Sequence, residues 1–180
     1  MRKYFKIIDE KILKWINVNL RNKFFDKIMP IITAAGNLGI VWVIISVFLL
    51  AKRDYRLLGK MIITALIITT IIGEGIIKHI IKRERPFSKD KEKQLLIKRP
   101  ITYSFPSGHT ASSFAVAAIF IETENVASFE IIVLASLIAF SRVYLGVHYP
   151  SDVIGGGIIG FFCGVLTVVL FLGKVYYRGR

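Results

Sequence analysis

The sequence predicts an all-α protein, an integral membrane helical bundle of about five transmembrane helices with an amphipathic helix at its N-terminal end. Three observations lead there. Of 180 residues, 54% are apolar and the mean hydropathy is +0.58, above an ordinary soluble domain. Residues 31–51 carry no charge, and none falls between Val153 and Gly173. Histidines, cations and a carboxylate gather at the ends of apolar stretches, a placement that is costly in lipid and so points to function. The length suits one domain, residues 1–180.

The formal net charge is +13, from 25 Lys and Arg against 12 Asp and Glu. Such a balance fits nucleic acid, an anionic membrane surface or an anionic substrate. The uncharged runs select the membrane, and cations committed to membrane-depth positions count against nucleic acid. The one cysteine, Cys163, lies in an apolar run, is expected in the core, and cannot form a disulfide or zinc cluster within one chain. Charges recur every few residues from Arg2 to Lys27 without an uninterrupted apolar core, so membrane retention is expected from the later helices.

Residues 4–20 read as an amphipathic helix, with Phe5, Ile8, Ile12, Trp15 and Ile16 on one face and Lys6, Asp9, Glu10, Lys11 and Lys14 on the other. It is too charged to span; it lies at the interface or packs on the protein's own flank. The 31–51 stretch is long enough for a ~30 Å hydrocarbon core, with Pro30 and Gly36-Asn37-Leu38-Gly39 expected to break or kink its first half. A charged turn, Lys52–Arg56, leads to a second span over 57–82. Residues 83–104 form a long polar connection, read as a gate or rim or as a solvated loop. Further spans are expected at 107–121, 128–145 and 150–175, with Gly156, Gly160 and Gly164 offering a ridge of small residues to a neighbouring helix.

Three stretches carry chemistry. In Pro106-Ser107-Gly108-His109, Ser107 is placed to N-cap the third span. The free N–H groups of a helix N-terminus suit an anion, and Gly108 allows close approach. Lys78 and Arg85 are seven residues apart, about two turns, so both face one side of the second span's end, which Pro86 closes at Arg85. Arg supplies a planar fork for phosphate oxygens and Lys a point charge. Glu74, one turn before Lys78, is placed to pair with it; Lys82 and Arg83 read as cations reaching toward headgroups. In Ser141-Arg142-…-His148-…-Asp152, Asp152 is placed to accept a hydrogen bond from one ring nitrogen of His148, leaving the other as nucleophile or base. Arg142 adds a second fork. His79 points away from Lys78 and is left structural. Tyr103, Phe105, Tyr144 and Tyr149 flank the motifs, shaping a lipid entry or sitting at the interface.

Lys-x6-Arg-Pro, Pro-Ser-Gly-His and Ser-Arg-x5-His-x3-Asp, in this order, resemble the three signature motifs of the type 2 phosphatidic acid phosphatase superfamily. Lipid phosphate phosphatases and, more distantly, vanadium-dependent haloperoxidases belong to that group. Every motif position matches, between residues 78 and 152. The resemblance implies that His148 attacks phosphorus to form a phosphohistidine. Asp152 would fix its tautomer and His109 would protonate the departing oxygen, then activate water. Lys78, Arg85, Arg142, Ser107 and the backbone at Gly108 would hold the phosphate, with no metal or other cofactor. A lipid phosphate and the membrane are the implied partners, and the oligomeric state stays open. Undecaprenyl diphosphate is the substrate favoured by resemblance, with phosphatidylglycerophosphate or phosphatidic acid as alternatives. A haloperoxidase-like protein and a non-catalytic lipid binder are the remaining readings, the latter weakened by the presence of both histidines.

Five spans put all three motifs on one side of a cell membrane. That side carries 16 Lys and Arg within 2–27 and 82–99, against seven on the other, which favours the cytoplasm. Bacterial members of the resembled family carry the site on the extracytoplasmic face, and that is the expectation retained.

Overall fold

The structure, a computed structural model, describes residues 2–89 and 94–178, all of whose regular elements are helical. Apart from three short 3-10 turns, they are in order α1 (Arg2–Asn19), α2 (Lys23–Ala35), α3 (Ile40–Ala51), α4 (Arg56–Thr70), a π-helical segment Ile71–Ile77, α5 (Lys78–Ile81), α6 (Gly108–Glu122), α7 (Ser128–Tyr144) and α8 (Pro150–Arg178). The charged residues 90–93 of the long connection lie outside the described residues.

α6 is the axis. Ala, Val, Ile and Phe occupy all its sides, and from Ala115 to Phe120 every residue is buried. A helix apolar all round belongs in a core, and α4, α7 and α8 surround this one. Trp42 of α3, fully buried, donates its indole N–H to Ser113 Oγ at 3.0 Å, satisfying the one polar atom of that large side chain.

α8 approaches α6 most closely, through the expected glycine ridge. A Cβ at Gly156 would lie 2.7 Å from the Ser107 carbonyl oxygen, and one at Gly160 or Gly164 would collide with the carbonyl oxygens of Ala111 or Ala115. Small residues are what let two backbones come together where lipid provides no hydrophobic drive.

The chain between Lys23 and Ala51 is broken as expected, but at one place. Pro30 sits inside α2, whereas Gly36–Gly39 separates α2 from α3 at a 48° bend. Leu38 and Gly39 there take left-handed φ values of 52° and 67°.

α5 ends at Ile81, earlier than Pro86 suggests, because Lys82 turns left-handed (φ 47°) and its N–H closes on Lys78 O. Arg85 is therefore off the helix, and helical periodicity does not align it with Lys78.

Among the described residues two helices, Arg53–Ile81 and Pro150–Gly173, are long and apolar enough to cross a membrane, and a third crossing results if the bent α2–α3 pair counts as one. α6 and α7, at 15 and 17 residues, are shorter than the roughly 20 that a straight crossing uses.

α1 packs on α7 and α8. Its inner side is Asp9, Leu13 and Ile16, while Ile8, Ile12 and Trp15 face outward. The single apolar face expected from the sequence is thus divided between two surroundings, and Phe5 lies among side chains not described.

Replacing Gly160 with Ala should lower stability by about 1–3 kcal/mol, the usual cost of overpacking. Thermal unfolding in detergent measures this; an unchanged midpoint would mean that the α6–α8 approach is not tight.

Candidate functional site

The three motifs meet at one end of the α6–α8 pair. Ser107 precedes α6 and is fully buried. Its N–H donates to the Asp152 carbonyl at 3.1 Å, fastening the start of α6 to the first turn of α8. Ser107 occupies the N-cap position, yet its hydroxyl caps no backbone N–H and instead accepts from Thr110 Oγ1 at 2.9 Å. At Gly108 a Cβ would meet the Glu74 carboxylate, which lies across the N-terminus of α6.

Lys78 is buried and pairs with Glu74 at 2.6 Å, as the four-residue spacing suggested. Its Nζ also donates to Thr102 Oγ1 at 3.1 Å, and Arg85 Nη2 donates to the same oxygen at 3.2 Å. Lys78 and Arg85 thus converge through Thr102. Arg85 further donates to the carbonyls of Thr102 (2.7 Å), Tyr103 (3.1 Å) and Val147 (2.8 Å). Residues 102–104 are therefore a wall of the site as well as part of a surface connection.

Arg142, 3% exposed, donates from Nη1 to Thr33 of α2, and its Nε has no partner among the described residues. Among those residues no carboxylate pairs with Arg142 or Arg85. Burial pushes the Arg85 pKa down to about 10, against the fields of Asp152 and Glu74, so it remains charged at neutral pH. Buried positive charge without a matching carboxylate is costly and is relieved by an anion.

His148 is 2% exposed. Its Nε2 lies 3.1 Å from Arg85 Nη1, and a guanidinium only donates. Nε2 is therefore the acceptor and the proton resides on Nδ1. The hydrogen bond expected from Nδ1 to Asp152 is not formed: Nδ1 stands 3.7 Å from Oδ2 and has no partner among the described residues. The reason is competition. Asp152 Oδ2 already accepts from Ser104 Oγ (2.5 Å) and the Tyr149 N–H (2.8 Å), and Oδ1 from Arg83 Nη1 (2.7 Å). Burial first, and then the charges of Arg85 and Arg142, push the His148 pKa down to about 3 despite Asp152. His148 is neutral, with its lone pair on Nε2.

His109, at the second residue of α6, is within electrostatic reach of Arg142, His148, Lys78 and Arg85. Its Nε2 is 2.8 Å from Asn37 Oδ1, where it donates, and a Cβ at Gly36 would lie 2.9 Å from its Cδ2. The α2–α3 break therefore cradles this ring.

All eight residues singled out from the sequence come together here: His148, His109, Asp152, Lys78, Arg85, Ser107, Gly108 and Arg142. Sequence reasoning missed Thr33, Asn37, Thr102, Ser104, Asp9 and Arg83. Arg83 is the clearest correction. It is no headgroup cation but joins Asp152 to Asp9 of α1, at 2.7 and 2.6 Å. Its pKa is raised: burial works against the charge, and Asp9 and Asp152 outweigh it. Among the described residues, no three His, Cys, Asp or Glu side chains gather as a metal cluster.

Fold and site together define a helical membrane protein with three buried cations gathered beside two histidines. The chain belongs to the PAP2 superfamily, whose sequence model matches residues 54–176. It is similar to the undecaprenyl-diphosphatase of Sulfolobus acidocaldarius, 34% identical over 130 residues that cover 71% of this chain and 62% of that protein. The chain thus spans less than two thirds of that relative's length. Among solved structures, Aquifex aeolicus LpxE superposes with a TM-score of 0.75 at 29% identity, covering 88% of this chain and 93% of that one. The transmembrane PAP2-type phosphatidylglycerolphosphate phosphatase from Bacillus subtilis superposes with a TM-score of 0.73 at 25% identity, covering 90% and 83%.

Because folded His148 titrates near 3 and an unfolded histidine near 6.5, the unfolded state binds the extra proton between these values. His148's contribution to stability is thus complete above about pH 6.5 and lost as pH falls toward 3. Thermal midpoints of wild type should drop more steeply across this window than those of His148→Asn; parallel curves would contradict a buried neutral imidazole.

Proposed function

We propose that the protein hydrolyses a lipid phosphate or lipid diphosphate, most readily undecaprenyl diphosphate, through a phosphohistidine on His148. The observation that carries this is the grouping of buried Arg85 and Arg142, with Lys78 joined to Arg85 through Thr102, around a neutral His148 whose Nε2 holds a lone pair. In the first step Nε2 forms a bond to phosphorus as the bond to the lipid-side oxygen breaks, and His109 gives that oxygen a proton. The lipid departs as an alcohol or, from a diphosphate, as its monophosphate. In the second step His109 takes a proton from water, the oxygen of which attacks phosphorus, and inorganic phosphate leaves as the N–P bond breaks. Lys78, Arg85, Arg142 and the first N–H groups of α6 hold the equatorial oxygens while charge develops there. Asp152, facing Nδ1, steadies the imidazolium that attack creates.

The lipid reading rests on a second feature. An apolar groove of about 490 Å³ runs between α6, α7 and α8, lined among others by Phe114, Phe140, Ile154 and Ile158. Its lining also includes Thr110, Val143 and Pro150, each within two residues of His109, Arg142 or His148. Such a groove suits an isoprenoid or acyl chain whose phosphate enters the cradle. The names of the similar proteins, an undecaprenyl-diphosphatase and a phosphatidylglycerolphosphate phosphatase, supply the two substrate candidates. The proposed arrangement is a single membrane domain of five crossings in a cell membrane, with α6 and α7 as short ones and the cradle on the extracytoplasmic side.

Phosphate release from a panel of undecaprenyl diphosphate, phosphatidylglycerophosphate, phosphatidic acid and a soluble ester tests the reading. Wild type should favour the diphosphate and keep its rate in EDTA. His148→Ala should lose at least about 10⁴-fold, the scale of removing a nucleophile. Full activity in that variant would end the assignment.

A further inference from the structure

Asp9 is 2% exposed, although it sits on an amphipathic helix most of whose charged residues face outward. Every contact it makes leads to the site. Oδ1 accepts the N–H of Ser151 at 2.9 Å, in the first turn of α8, where a carboxylate meets the positive end of the helix dipole. Oδ2 accepts from Ser151 Oγ at 2.5 Å and from Arg83 Nη2 at 2.6 Å. Arg83 Nη1 continues to Ser151 Oγ (2.6 Å) and to Asp152 Oδ1 (2.7 Å), and the guanidinium lies over the Tyr149 ring, 4.2 Å from its centroid. Four groups on two separate chain segments, α1 and residues 149–152, are held by one planar fork.

That fork determines where Asp152 points. With Oδ1 on Arg83, Oδ2 is turned toward Ser104, the Tyr149 N–H and the Nδ1 side of His148. Arg83 itself does not line the cradle. Its neighbours are Asp9, Ser151, Tyr149 and Asp152, whereas the cradle cations sit on Thr33 and Thr102.

We propose that Arg83, clamped by Asp9, is a positioning residue that orients Asp152 against His148, which makes helix α1 a working part of the site. The proposal rests on the phosphohistidine reading above. It assigns α1 a role that its surface character does not suggest: unseating α1 withdraws Asp9, frees Arg83 and lets the Asp152 carboxylate turn. Because neither residue touches substrate, their loss should slow turnover without weakening binding. A one-ångström misplacement at a reacting centre costs on the order of 100-fold in rate.

The test uses the purified 180-residue protein and phosphate release from undecaprenyl diphosphate, with kcat and KM determined for Asp9→Asn, Arg83→Gln, Arg83→Lys and the double variant Asp9→Asn/Arg83→Gln. Expected are a kcat about tenfold lower for Asp9→Asn and about 100-fold lower for Arg83→Gln, each with KM within about twofold. The double variant should be no slower than Arg83→Gln, since Asp9 acts through Arg83. Arg83→Lys, which restores the cation without the fork, should recover part of the loss. If Asp9→Asn does not fold, Ser151→Ala removes the bridging hydroxyl without stranding a charge and should lower kcat severalfold at constant KM. An unimpaired kcat in Asp9→Asn or Ser151→Ala, a rise in KM at constant kcat, or losses that multiply in the double variant would overturn the proposal. Wild type that releases no phosphate would instead overturn the function on which it rests.

Discussion

The structure depends on keeping three cations out of water without neutralising all of them. Lys78, Arg85 and Arg142 are each at most 6% exposed, and of the three only Lys78 meets a carboxylate at ion-pair distance among the described residues. An isolated buried charge costs several kcal/mol even after relaxation, so the fold surrounds these with neutral acceptors. Arg85 is held by three backbone carbonyls, and Arg142 by the hydroxyl of Thr33. Neutral acceptors orient a guanidinium while leaving its net charge in place. That residual charge is what a phosphate would answer.

Close helix packing makes such an arrangement possible. Glycines of α8 admit the carbonyls of Ser107, Ala111 and Ala115, and this contact brings the Ser107 N–H to the Asp152 carbonyl. The start of α6 and the start of α8 are thereby fixed to one another, and with them His109 and His148. The same logic holds on the opposite side, where the glycine at position 36 lets His109 rest against the α2–α3 break and reach Asn37. Helix geometry and site chemistry are set by the same small residues.

Much of this was legible from residues alone. The apolar runs located the main helices, and the three motifs named eight of the residues that converge. Glu74 was legible through its spacing from Lys78. What the sequence concealed has a common physical character. Arg83 and Asp9 are 74 positions apart and Asn37 and His109 are 72 apart, so no periodicity links them. Arg83 resembled the cations that flank any membrane helix, and Asp9 any solvated carboxylate on an amphipathic surface. The end of α5 was misplaced because a non-glycine residue, Lys82, adopts the left-handed turn that sequence rules assign to glycine. The His148–Asp152 bond was overestimated because its competitors, Ser104 and Arg83, arrive from a distant segment of the chain.

The proposed mechanism turns on a neutral His148 presenting Nε2 to phosphorus among buried cations. Its most direct test is rapid quenching in alkali of the protein with a lipid diphosphate labelled in its terminal phosphate, followed by mass spectrometry of the peptides. The mechanism predicts transient label on His148, formed and lost within the turnover time. Steady hydrolysis with no labelled histidine at any quench time, or label on His109 instead, would contradict it.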